Sequence, residues 1–381
     1  MNKKILPLIL SFCVLFSLVG CNTKTKDACT AVSSETAVQS TSEPTSETAN
    51  PENAKLNAVL DENLKVHFID VGQGDCEFIE LPNDETMLID AGNQGNGNEI
   101  VSYISALGYD KLDYVIATHP HADHIGGMAT VLNAFEIGKM YMPKKEHTSQ
   151  TFENMLDTIE EKGIALHTAK SGVNIISTDN LSVDLLAPIG NSYSDLNNYS
   201  AVCKITYGND SFLFMGDAED IVENELLSGN ASLNADVLKV GHHGSSYSST
   251  NAFVKAVSPQ YAVISCGAGN QYRHPHFETL ATLSDFNTNV YRTDESGTII
   301  ITSDGANITV DKNASTIKEN APPVVSTEET TSSDSAHNVY ITKSGSKYHS
   351  LVCQYLKKSQ IEISLQDAIS RGYEPCSKCN P

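Results

Sequence analysis

Thr118-His119-Pro120-His121-Ala122-Asp123-His124-Ile125-Gly126-Gly127 is the stretch on which the reading of this chain turns. Four metal-capable side chains fall within six residues, spaced H-x-H-x-D-H, directly after the apolar run Tyr114-Val115-Ile116-Ala117. A short apolar run bounded by a turn signal has the pattern of a buried strand, and the paired glycines mark the turn that leaves it. His119, His121, Asp123 and His124 therefore belong to one loop at a strand end, where imidazole nitrogens and a carboxylate can converge. Imidazole plus carboxylate without thiolate suits zinc, manganese or iron held for catalysis better than a structural zinc cage. The alternative, a polar loop whose histidines satisfy backbone groups, sits poorly with three histidines and an aspartate at this density.

Strands and turns continue on both sides. Upstream stand Val66-His67-Phe68-Ile69-Asp70-Val71-Gly72-Gln73-Gly74-Asp75 and Met87-Leu88-Ile89-Asp90-Ala91-Gly92; downstream stand Leu213-Phe214-Met215-Gly216-Asp217-Ala218 and Leu238-Lys239-Val240-Gly241-His242-His243-Gly244-Ser245. In this order, over about residues 64–312, these motifs resemble the metallo-β-lactamase fold family, and within it the soluble domain of ComEC-type DNA-uptake proteins. The resemblance implies an α/β fold, a four-layer αββα sandwich, and a hydrolytic centre with two divalent metal ions, zinc or manganese. It places His119 and His121 on one metal and Asp123, His124 and His242 on the other, with Asp217 bridging; a helix cap is the rival reading of Asp217. Asp90 would support the metal loop, and His243 would orient a ligand or carry a proton, although spacing alone does not decide between His242 and His243. Most of the superfamily places another metal-binding histidine before the strand Ala201 to Tyr207, and this chain has none between His167 and His242. It carries instead Asn197-Asn198-Tyr199-Ser200, similar to an Asn-Asn-x-Ser element of the subgroup, so Asn198 and Ser200 are expected near substrate or are turn residues, and a mononuclear centre stays open. The segment Asn270-Gln271-Tyr272-Arg273-His274-Pro275 resembles the subgroup's N-x-Y-x-H-P and makes His274 a candidate for contacting substrate or donating a proton, against a structural loop histidine. The expected catalytic set is Asp123, His243, His274 and Asn198.

Around this core the composition changes abruptly. Lys3 and Lys4 precede an apolar stretch, Ile5 to Val19, that is too short for a good membrane span. Leu18-Val19-Gly20-Cys21 resembles the bacterial lipoprotein signal, which implies lipid on Cys21 and an extracytoplasmic position held to the cell membrane; a plain secretory signal or an uncleaved anchor are the alternatives. Residues 21–57 and 313–336 are rich in Ser, Thr, Glu and Pro and read as solvated linkers. The expected organisation is a signal at 1–20, a linker at 21–57, the hydrolase domain at 58–312, a linker at 313–336 and a small domain at 337–381.

The small domain has its own motif. His349-x3-Cys353 and Cys376-x2-Cys379 form H-x3-C…C-x2-C, one imidazole and three thiols at spacings that suit a tetrahedral structural zinc. It resembles the metal-binding domain of the Ada DNA-repair protein with His349 in place of a cysteine, and a disulfide through Cys353 is the alternative. A domain of this size needs a metal or a disulfide to hold it.

The net charge of −22 falls entirely on residues 58–312, because the segments outside them carry +2, −2, −3 and +3, which cancel. An acidic domain is a poor partner for a long polyanion, since duplex binding is dominated by Lys and Arg contacts to phosphate. Two dications would return about four positive charges locally, enough for one scissile phosphate. The expected substrate is extracellular DNA or another phosphodiester. The alternatives are a cell-wall phosphodiesterase, an esterase, a β-lactamase, or a non-catalytic binding lipoprotein.

Overall fold

Alternation along single strands sorts their side chains between different cores. In β4 (Lys111–Ile116), Tyr114 and Ile116 face one buried cluster while Val115 between them faces another. Near Asp217 the same period of two sends Phe212 and Phe214 to the first cluster and Leu213 and Met215 to a third. The shared cluster lies between two sheets, where Phe68 and Phe214 stack at 6.1 Å. Each outer cluster lies between one sheet and its helices, so three cores separate four layers in the order α, β, β, α. The computed structural model describes residues 62–316 and, with short gaps, 338–378. The expected signal, the lipidated Cys21, the linker 21–57, most of the linker 313–336 and Cys379 lie outside the described residues.

The first sheet contains β1 (Leu64–Phe68), β2 (Glu77–Glu80), β3 (Thr86–Ile89), β4, β5 (Glu136–Met142) and β6 (Ala165–Thr168), with β14 (Ile299–Ser303) and β15 (Ile308–Val310) beyond β1. The second contains β7 (Val173–Ser177), β8 (Leu181–Leu185), β9 (Cys203–Tyr207), β10 (Asp210–Phe214), β11 (Val237–Lys239), β12 (Tyr261–Ile264) and β13 (Asn289–Arg292). Strands β3 to β6 are parallel, and so are β10 to β13. Parallel neighbours require crossovers, which helices supply. They are α1 (Gly97–Ala106), α3 (Met128–Ala134) and α4 (Gln150–Lys162) on the first sheet, and α5 (Asp220–Ser228), α6 (Asn251–Val257) and α7 (Phe277–Asp285) on the second. A four-residue α2 (Ala122–Ile125) lies inside the H-x-H-x-D-H loop, and α8 (Thr293–Ser296) follows β13. The chain stays on the sandwich as far as Ser315, whose N–H donates to Val290 O at 2.7 Å, slightly beyond the expected boundary at 312. Cys76, Cys203 and Cys266 are buried thiols, as small apolar residues would be.

Residues 338–378 contribute two small two-stranded sheets of their own. Strand β16 (Asn338–Ile341) pairs antiparallel with β18 (Ile361–Ser364), and β17 (Lys347–Tyr348) pairs parallel with β19 (Glu374–Pro375). No helix among the described residues is long and apolar enough to cross a membrane.

Candidate metal centre

The loop after β4 is held from both sides. Gly127 passes so close to Ala91 O that a Cβ there would collide with it, and a Cβ on Gly74 would collide with Asp123 O. Glycine at these two places lets three turns pack against one another. Asp90, which ends β3 at φ 57°, accepts hydrogen bonds from Thr118 N (2.8 Å) and Thr118 Oγ1 (2.6 Å) and lies 2.7 Å from His124 Nδ1. A carboxylate on one ring nitrogen fixes the imidazole and aims the other nitrogen at the centre. His119 is buried, with Nδ1 3.1 Å from Thr118 Oγ1 and Nε2 3.0 Å from His121 Nδ1.

The second sheet brings the rest. Asp217 leaves β10 after Met215 and Gly216, its N–H donating to Ser200 Oγ at 3.0 Å. Its Oδ2 lies 3.3 Å from His124 Nε2 and its Oδ1 lies 3.4 Å from His243 Nε2. His243 Nε2 is also 3.5 Å from Asp123 Oδ2. Donor atoms of Asp123, His124, Asp217 and His243 thus lie within 4.8 Å of one another. Three of them, His124 Nε2, Asp217 Oδ1 and His243 Nε2, are buried and make no hydrogen bond. Buried polar atoms normally find partners, and converging orphans of this chemistry fit a divalent cation.

The adjacent histidines take different places from those expected. His243, not His242, joins Asp123, His124 and Asp217, with its Nδ1 held 3.0 Å from Ser265 O and 3.2 Å from Asp75 Oδ1. His242 lies on the other side, its Nε2 3.9 Å from Asp217 Oδ2. Both residues have left-handed backbones (φ 49° and 54°), a conformation uncommon outside glycine and concentrated at functional sites. Consecutive residues in that conformation cannot be read from spacing.

Carboxylates outnumber cations here. Burial opposes the imidazolium of His124, but Asp217, Asp90 and Asp123 outweigh it and push its pKa well above the usual range. Burial likewise opposes charge on His243, and Asp217 and Asp75 overcome it. A field that favours positive charge so strongly at two buried rings also favours a dication. Beneath it lies a buried ion pair that the sequence reading missed: Lys239 Nζ donates to Asp75 Oδ2 at 2.7 Å, with both side chains 1% exposed. Burial pushes the Asp75 carboxyl up, but Lys239 and His243 pull it down to about 2. The available signal was a lysine inside the apolar run Val237-Leu238-Lys239-Val240, although nothing in it names a partner 164 residues away.

The centre opens into a cavity of about 270 Å³ whose walls include Gln73, His121, Asn197, His242, Tyr272 and His274. His274 stands there as anticipated, with an unpartnered Nδ1. Burial first, then the imidazoles of His242, His243 and His276, lower its pKa to about 3, so the ring is neutral at neutral pH. Asn198 is buried behind the cavity wall, where its Nδ2 donates to Glu219 Oε2 at 2.9 Å and its Oδ1 accepts from Glu219 N at 3.2 Å. Ser200 Oγ lies 3.4 Å from His119 Nδ1 and is equally committed.

In the small structure, His349, Cys353 and Cys376 come together, with His349 Nδ1 3.2 Å from Cys353 Sγ and the two sulfurs 4.0 Å apart. Two thiolates on one tetrahedral zinc, at about 2.3 Å each, stand about 3.8 Å apart. A disulfide would bring the sulfurs to about 2.05 Å, so these two are not joined to each other.

The sequence profile described as the metallo-beta-lactamase superfamily matches residues 69–268. ComE operon protein 3 of Bacillus subtilis is 32% identical over 252 residues, which are 62% of this chain and 32% of that protein. Recombination protein 2 of Haemophilus influenzae is 29% identical over 240 residues, 62% of this chain and 28% of that one. Among solved structures, the metallo-beta-lactamase fold protein YhfI of Bacillus subtilis is similar at a TM-score of 0.42 and 14% identity, covering 60% of this chain and 96% of that one. The chain spans about a third of the length of the curated relatives it matches. With its matched profile running from the first sheet through the His242-His243 loop, the chain belongs to the metallo-beta-lactamase superfamily.

Proposed function

We propose that the chain is a metal-dependent hydrolase that cleaves phosphodiesters outside the cytoplasm, held to the membrane by lipid on Cys21. The observation that carries this reading is the meeting of unpartnered His124 Nε2, His243 Nε2 and Asp217 Oδ1 beside a polar cavity. Asp123, His124 and His243 would hold one divalent ion, His119 and His121 would contribute to a second, and Asp217 would offer one oxygen to each. Bound there, such ions lower the pKa of a water and polarise the scissile oxygen. The chain's own groups do the rest. Asp90 fixes His124, and Asp75 with Ser265 O fixes His243, so neither ring needs to reorganise when substrate arrives. Neutral His274 lines the cavity and would orient a substrate oxygen or a water without adding charge.

Two-metal centres of this kind hydrolyse phosphodiesters, esters and lactams alike, so the substrate class comes from elsewhere. Relatives named for competence and recombination support a nucleic-acid phosphodiester. The charge of −22 favours a second reading, a shorter cell-wall phosphodiester in place of a long polyanion. The test is a panel of single-stranded DNA, a chromogenic phosphodiester and a chromogenic cephalosporin, offered to metal-loaded protein and to His121→Ala. Cleavage of the phosphodiesters by wild type and not by the variant is expected. Turnover of the cephalosporin alone would overturn the substrate class. For the anchor, Cys21→Ser should release the protein into the medium; a Cys21→Ser protein that stays with the membrane contradicts lipidation there.

A further inference from the structure

We propose that His242 replaces the histidine this chain lacks before β9, completing the first metal site with His119, His121 and Asp217, and that Asn197 and Asn198 serve it indirectly by holding Glu219 against the His242 ring. This rests on the two-metal hydrolase reading above. Asp217 lies between two adjacent histidines and faces each with a different oxygen: Oδ1 is 3.4 Å from His243 Nε2 and Oδ2 is 3.9 Å from His242 Nε2. His119 Nε2 lies on the His242 side, also 3.9 Å from Oδ2 and 3.0 Å from His121 Nδ1. Nitrogen and oxygen donors on one tetrahedral ion at about 2.0–2.1 Å stand about 3.4 Å apart. His119 Nε2 and His242 Nε2 each stand about half an ångström beyond that spacing from the same Asp217 oxygen.

The orientation of His242 supports the assignment. Its Nδ1 lies 3.4 Å from Glu219 Oε1, an ion-pair contact without a hydrogen bond, while its Nε2 faces Asp217, the order in which a carboxylate backs a ligand imidazole. His243 shows the same construction, with Asp75 and Ser265 O behind Nδ1. Glu219 is itself held. Asn197 Nδ2 donates to Oε1 at 3.3 Å, Asn198 Nδ2 donates to Oε2 at 2.9 Å, and Glu219 N donates to Asn198 Oδ1 at 3.2 Å. The Asn-Asn element thus stands where the superfamily's histidine would come from, and acts through Glu219 on a histidine supplied by the other loop. Asn197 Nδ2, 3.5 Å from His242 Nε2, is the one neighbour that must yield when that nitrogen binds an ion.

The test titrates metal-stripped full-length chain with Mn²⁺, which carboxylate and imidazole sites accept and a thiolate cluster disfavours. Bound ions are counted by calorimetry, and ion pairs are detected by the exchange-coupled signal in electron paramagnetic resonance. Wild type should bind two coupled ions and His242→Gln one uncoupled ion. Glu219→Gln and Asn198→Ala, as changes behind the ligand, should keep two sites with one weakened by about 10–100-fold. His242→Gln binding two ions as tightly as wild type overturns the proposal. Should His242→Gln fail to fold, Glu219→Gln decides, and unchanged affinity there overturns it equally. A wild type that binds a single ion overturns the His242 site but leaves a mononuclear hydrolase; one that binds none removes the hydrolase reading as well.

Discussion

The two clusters of metal-capable side chains are built on opposite plans. In the sandwich the donors are imidazole nitrogens and carboxylate oxygens, set by loops at the ends of β4, β10 and β11 over three extensive cores that the donors do not form part of. Between 338 and 378 the donors include two thiols, and Cys353 and Cys376 are themselves part of a buried cluster with Leu356, beside a second that, among the described residues, holds Val339, Ile341, Tyr348 and Ala368. Removing a metal from the first should therefore cost chemistry, and from the second should cost the fold. Donor chemistry alone does not make this distinction; the amount of apolar surface buried around the donors does.

The largest effect expected is on the small structure. Cys376→Ser removes a ligand from a site of the kind whose zinc contributes about 10–16 kcal/mol to folding, more than so small a core can replace. Hydrogen exchange should become fast across 338–364 and stay slow across 64–303, with phosphodiester cleavage unchanged; retained protection would erase the contrast. Asp217→Asn should do the converse. Hydrolysis should fall by more than the roughly 10–100-fold that losing a group behind a ligand costs, with thermal unfolding of the sandwich little altered. A folded variant that keeps full activity contradicts the site.

Ion pairs sharpen the comparison further. Lys239→Met leaves Asp75 charged and buried, which costs about 3–5 kcal/mol. The Lys347–Glu374 pair of the small structure is exposed at both ends (43% and 71%), and Lys347→Met should cost no more than about 1 kcal/mol. Urea unfolding of both variants tests the difference, and equal losses would deny it. A pH effect comes close behind the buried pair. Burial raises Glu223 from 4.5 to about 7, against the pull of the Thr250 and Ser249 N–H groups that hold it. The folded chain thus keeps a proton that the unfolded chain loses between those values. The contribution is full below about pH 4.5 and is lost as pH rises through 7, at most about 3 kcal/mol. Unfolding at pH 5 and 8 should show wild type losing more stability than Glu223→Gln; parallel losses contradict it.

Legibility in the sequence followed distance along the chain. H-x-H-x-D-H put four donors on one loop, so their meeting needed no tertiary knowledge, and Asp217 announced itself as a carboxylate at the end of an apolar strand. The choice between His242 and His243 depended on two left-handed residues, and the place of Asn198 depended on Glu219, 21 residues further on. Asp75 and Lys239 meet only because the two sheets pack face to face. Helices α6 and α7 are hard to read in the sequence because each is short and begins among Ser, Asn, His and Pro, where turn signals dominate. Family resemblance supplied the sandwich. Side-chain contacts assigned the partners.

X-ray absorption on the zinc-loaded Cys376→Ser chain, which lacks an intact sulfur site, tests the central claim most directly. The expected result is bound zinc with only nitrogen and oxygen neighbours at about 2.0–2.2 Å. A folded chain that binds no zinc, or zinc with a sulfur neighbour at about 2.3 Å, would contradict it.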